Sequence, residues 1–300
     1  MQRTALIIAA LILTASFVLG QAQAPAGAPA QPQSPQAAPA QPQEQPQAAP
    51  AGPRQPQAKS QAEFDAFQQL NDPNLSPDDL IRLSEEFLVQ YPDTELKTHI
   101  YRIEMQAYQQ KNDFVNMLDF GVKILKEEPD DAITLIMLAS ALPERTQEND
   151  LDRDEKLRKA EDYSKRAFQA IDKLPQPDQM PEAQWNAVRN DARGQIHAAQ
   201  GLIAMKRKQY PVAQTEFRKA ADIQSQKDPV ILWRLGLAYQ MDRKYEQARD
   251  AYKEAVAAGG VNVGGQDLAA EELKRVEDFL AKRQQAPAAA PPAENKPQPQ

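Results

Sequence analysis

Residues 229–258 read PVILWRLGLAYQMDRKYEQARDAYKEAVAA. Leu232, Leu235, Gly236 and Tyr239 recur at three- and four-residue spacing, the mark of one helix face. After a polar break, Tyr245, Ala248, Tyr252 and Ala255 do the same. Small residues at 236 and 248 let two helices approach closely, and the tyrosines fill the space on either side. The arrangement repeats: Gly201, Tyr210, Ala213, Phe217 and Ala220 each lie 35 residues before Gly236, Tyr245, Ala248, Tyr252 and Ala255. A period of that length belongs to stacked helix pairs, which bury their apolar faces against neighbours rather than in one central core.

The unit 229–259 resembles the tetratricopeptide repeat, whose landmarks are a Leu-Gly pair, an aromatic three residues on, then Ala, an aromatic and Ala. The unit 193–227 keeps these landmarks except at Ala204, where the first helix lacks its aromatic residue, so this pair is expected to pack more loosely. A third match, 98–130, carries Tyr101, Met105, Tyr108, Phe114, Met117, Gly121 and Ile124 and ends at Pro129. In 131–172, Leu135, Leu138, Ala139 and Leu142 are expected to face Ala160, Tyr163 and Ala167 across an enlarged turn at about 143–154. A weaker pair at 61–92 holds a good helix start, with Ser76 as N-cap and Pro77 in the first turn. Pro181 starts a long helix running to about Lys206, and 266–285 forms an amphipathic cap with Leu273, Val276 and Leu280 on one stripe. The expected fold is an all-α, tetratricopeptide-like helix-pair solenoid of about five repeats plus a C-terminal capping helix. No period-two run stands out over 61–285, so no strands are expected, and Gly259-Gly260 and Gly264-Gly265 read as a turn between helices.

Outside 61–285 the composition changes. Arg3 precedes an apolar run from Ala5 to Leu19, so residues 1–22 read as a secretory signal peptide and imply an exported, periplasmic or secreted protein. The alternative is an uncleaved anchor in the inner membrane, although the run is shorter than the ~20 residues a span requires. Residues 21–60 contain ten Pro and three charges (Glu44, Arg54 and Lys59), and 286–300 contain five more Pro. Such segments have too little apolar side chain to offset ordering entropy, so 23–60 and 286–300 read as a disordered linker and tail.

Residues 61–285 carry 31 basic and 40 acidic side chains, interspersed along the chain. That acidic, mixed surface offers no cluster of Lys and Arg for phosphates and argues against nucleic acid. There is no Cys, which excludes thiol catalysis, disulfides and cysteine-ligated zinc. His99 and His197 have no partner at ligand or triad spacing. Asp150, Asp152, Asp154 and Glu161 faintly follow a calcium-loop spacing, but Glu155 replaces the required Gly and Arg153 and Arg158 crowd the site; acidic residues favoured by the dipole at a helix start account for them better. No cofactor and no metal are expected, and no catalytic residue stands out.

In the resembled repeats, first-helix side chains line a concave groove that holds a protein or peptide segment. Carried over by register, those positions are Arg102, Gln106 and Gln109; Ile136 and Ser140; Leu202 and Met205; and Trp233, Leu237 and Met241. The early stretch is polar and the last apolar, with Trp233 as an aromatic anchor on a face turned from Leu232 and Leu235. The layout is similar to cell-envelope tetratricopeptide proteins of bacteria that act in assembly and coordination. The resemblance implies a non-catalytic interaction scaffold of the envelope. The alternatives are a membrane-tethered assembly adaptor and a ligand-binding or enzymatic module.

Overall fold

Caps and prolines set the helix boundaries. Ser60 accepts the Glu63 N–H at 3.1 Å and opens α1 (Gln61–Gln69). Ser76 accepts from the Asp79 N–H at 3.1 Å, with Pro77 in the first turn of α2 (Pro77–Gln90). The computed structural model describes residues 56–285; the expected signal peptide, the tail and nearly all of the linker lie outside them. Further along are α3 (Lys97–Gln110), α4 (Phe114–Glu127), α5 (Ala132–Arg145), α6 (Arg153–Lys173), α7 (Glu182–Lys206), α8 (Tyr210–Ile223), α9 (Pro229–Met241), α10 (Tyr245–Ala257) and α11 (Leu268–Gln285). Asp113, Asp131 and Asp228 cap α4, α5 and α9 through their carboxylates.

From α2 onward each helix packs on the next in the chain, and α5 also packs on α7. The core follows suit as a strip. Phe67, Phe87, Leu96 and Ile100 fill the first stretch, and Met105, Ile124, Leu135, Leu138, Ile171 and Ile196 the second. Phe217, Leu232, Leu235 and Ala251 fill the third, and Tyr252 of α10 packs with Val276 and Leu280 of the cap helix. A core distributed this way, with contacts between neighbours, is the signature of a solenoid.

The repeat is visible in the turns inside the pairs. Asn112, Lys208 and Arg243 adopt φ of 57°, 60° and 60°, the left-handed region. The residue after each donates its N–H to the carbonyl of Tyr108, Ala204 or Tyr239, every time at 2.9 Å. Ala204 therefore closes the same turn as the two tyrosines. Its pair is not loose: Ala213, Phe217 and Ala220 are fully buried, and Gly201 leaves room only for the Phe217 ring.

Two further expectations need correction. Pro143 does not lie in a turn; it is buried in the last turn of α5, which runs on to Arg145. A proline this near the end removes one backbone bond, and Thr146 closes the helix by donating both its N–H and its hydroxyl to the Leu142 carbonyl, at 3.1 and 2.7 Å. Between α10 and α11 there is also a short antiparallel ladder, β1 (Asn262–Val263) with β2 (Gln266–Asp267). Gly264 and Gly265, at φ 58° and 83°, make its two-residue loop, the conformation that such a hairpin requires. Asp267 then accepts from the Val261 and Ala269 N–H groups at 2.8 and 3.0 Å, tying the hairpin to the start of α11. The cap helix accordingly begins at Leu268 instead of 266.

Candidate interaction groove

The first helices of the pairs, α3, α5, α7 and α9, carry the positions expected to face a partner. On α3, Arg102 is held by Glu128 and by Asp131, the latter at 3.0 Å, and is 16% exposed. Gln106 is half-buried and Gln109 exposed. On α5, Ile136 is 5% exposed and belongs to the core, so it offers nothing to a partner; Ser140 is half-buried. The cause is the composition of α5: AITLIMLASAL is apolar nearly all round, and nine of its eleven residues are buried.

The last two units give a different surface. Leu202 and Met205 on α7 and Trp233 on α9 each pack, half-buried, against one cluster that includes Ala198, Ala204 and Leu235. Trp233 and Leu237 also touch the cluster formed with Val276 and Leu280 of the cap helix. Trp233 is thus wedged between α9 and the cap, half-buried, with its indole N–H enclosed and without an acceptor. It does not stand free as an anchor. Met241, at the end of α9, is 56% exposed. The ten positions therefore do not form one strip: Leu202, Met205 and Trp233 border one apolar cluster, Leu237 borders the cap-helix cluster, and those on α3 are polar.

One contact on the first helices escaped the sequence reading. Arg234 on α9 pairs at 2.8 Å with Glu144, in the last turn of α5. The two lie 90 residues apart, and no local pattern signals it. A second set ties the end of α7 to the α5–α6 pair: Lys206 donates to the Thr146 carbonyl just past α5 at 2.7 Å, and Arg207 pairs with Glu161 on α6 at 2.9 Å. These polar ties link α9 to α5 and the end of α7 to the α5–α6 pair.

Of the titratable groups that could have carried chemistry, His197, Asp150 and Asp152 have ordinary structural partners, and His99 is buried with its Nδ1 unpartnered. His197 Nδ1 lies 2.7 Å from Glu216, beside the Phe168 ring. Burial opposes the Glu216 charge, but hydrogen bonds from Lys219 and His197 outweigh it and hold the carboxyl below its usual range. Burial pushes the His99 imidazole down, with Arg102 adding to the effect. Asp150 and Asp152 both bind Lys156, at 3.0 and 2.9 Å. Among the described residues, no three acidic or histidine side chains converge as a metal site, and no helix is long and apolar enough to cross a membrane.

No family model matches this chain, and no curated protein matches it. Among solved structures, the chain is similar to a thermophilic TPR protein of Thermus thermophilus, at 16% identity and a TM-score of 0.46, over 73% of this chain and 99% of that one. The repeated turns, the 35-residue spacing and the strip-like core make this fold an all-α, tetratricopeptide-like helix-pair solenoid.

Proposed function

We propose that the chain is a non-catalytic protein–protein interaction scaffold of the cell envelope, receiving a partner segment along the first helices of its last two units. Folds of this kind generally hold other proteins. The observation that carries the reading is the set of apolar side chains left accessible on α7 and α9: Leu202, Met205 and Leu237 are part-exposed, and Met241 is 56% exposed. Methionines adapt to varied apolar partners, and a wall fixed by neighbouring helices has little ordering entropy left to lose on binding. Part-exposed polar groups on α3, Arg102, Gln106 and Gln109, supply a different chemistry at a distance along the solenoid.

Photo-crosslinking tests the reading. A photoreactive residue at Leu202 or Met241 should trap one discrete partner, and the same probe at Val212 or Val256 on the second helices should not. Equal trapping from both sets would overturn the groove. Export and the tethered alternative both rest on residues 1–22. N-terminal sequencing of the mature protein distinguishes them, since retention of Met1 would contradict a cleaved signal peptide.

A further inference from the structure

Glu104 on α3 is 1% exposed, and its Oε2 has no hydrogen-bond partner. The repeated turn fixes what belongs at this place. Tyr108, Ala204 and Tyr239 offer their carbonyls to the same turn, so the residues four before them are equivalent: Glu104, Gln200 and Leu235. Leu235 is completely buried in the apolar strip. A carboxyl group therefore occupies a layer that the best-formed repeat fills with leucine.

The surroundings supply little compensation. Helix α2 packs on α3, and its Ser84 hydroxyl is also fully buried and unpartnered. Three of the seven unpartnered buried polar atoms among the described residues (Ser84 Oγ, His99 Nδ1 and Glu104 Oε2) fall on these two helices. From α2, Glu85 opposes a charge on Glu104; from α4, Lys123 favours one. On α3 itself the Tyr108 phenol is raised by burial, then by Glu85 and Glu104. Meanwhile the first pair is joined to the rest by a small cluster of its own, Phe67, Leu70, Phe87, Leu96 and Ile100.

We propose that Glu104 makes the joint between α2 and α3 a pH-sensitive hinge, packed while the carboxyl keeps its proton and loosened when it is lost. Burial drives the effect, because an ionised carboxylate without partners is costly in an apolar layer. Burial, with Lys123 opposing it and Glu85 adding to it, pushes the Glu104 carboxyl up to about 8 from its usual 4.5. Between those values the packed state holds a proton that the opened state has released. The joint is then most stable at the acid end and weakens as pH rises towards 8, with no further change once both states are ionised.

The test uses the full chain, labelled with 13C at glutamate side chains, as wild type, Glu104→Gln and Glu104→Leu. The Glu104 carboxyl resonance should titrate near 8. After correction for intrinsic exchange, amide protection in α1 and α2 should fall about tenfold per pH unit through the middle of the window, relative to α9 and α10. Both variants should abolish that slope; Glu104→Leu, which restores the residue of the matching repeat, carries the comparison should the glutamine variant not fold. A carboxyl titrating in the ordinary glutamate range would overturn the proposal. So would unchanged wild-type protection of α1 and α2, or a slope that survives in Glu104→Leu.

Discussion

The Phe217 ring occupies the space that a side chain on Gly201 would need. A Cβ at 201 would lie 2.7 Å from the ring, and thirty-five residues later a Cβ at Gly236 would lie 2.5 Å from Cδ1 of Tyr252. Phe217 and Tyr252 are both completely buried, so neither ring has anywhere to retreat. Each glycine is therefore set by close approach of two helices, which is why it returns with the repeat.

Gly236→Ala tests this contact. Alanine favours a helix by about 1 kcal/mol over glycine. Overpacking against a pinned ring costs about 1–3 kcal/mol. Tyr252 is pinned, donating its hydroxyl to Gln240 at 2.6 Å. A net loss of stability is expected, seen as a lower denaturant midpoint; a higher midpoint would mean that the ring can move aside.

Trp233 separates packing from binding. Its wedge between α9 and the cap predicts that Trp233→Ala destabilises the C-terminal units by about 2 kcal/mol, below the ~3–5 kcal/mol of a fully buried ring. Trp233→Phe removes the enclosed, unpartnered N–H and keeps an aromatic ring, so it should be close to neutral. Thermal melts of both variants check this ordering. Equal losses would show that the indole nitrogen has a partner in solution.

Asp267 joins the hairpin to the last helix through the Val261 and Ala269 N–H groups. Asp267→Ala should cost about 1 kcal/mol, in the range of a lost helix cap. The loss should appear as faster amide exchange at the start of α11, with α3 and α4 unchanged. Uniform exchange rates before and after substitution would show that the hairpin positions the cap without this side chain.

What the sequence displayed and what it hid have distinct physical origins. The final unit was legible because Gly236, Ala248, Tyr252 and Ala255 meet one another at helical spacing, so a local pattern carries the packing. Ser76-Pro77 likewise announced the α2 start, and Pro181 the start of the long α7. The two-residue ladder was hidden because four residues cannot display alternation, although paired glycines at 264 and 265 were a usable turn signal. Pro143 misled because its cost depends on distance from the helix end, which Thr146 sets. At the candidate site, register alone does not say which side chains a neighbouring unit covers. Ile136 vanished into a nearly all-apolar α5, and Trp233 met a cap helix more than thirty residues away.

The most direct test of the stacked-pair architecture is native-state hydrogen exchange on Ala248→Leu. Ala248 is fully buried among Tyr252, Val276 and Leu280, so the larger side chain should cost about 1–3 kcal/mol there. Because each pair leans on its neighbours, protection should fall in α9, α10 and α11 and hold in α3 and α4. An even loss of protection from residue 61 to 285 would mean a single cooperative core and would contradict the solenoid.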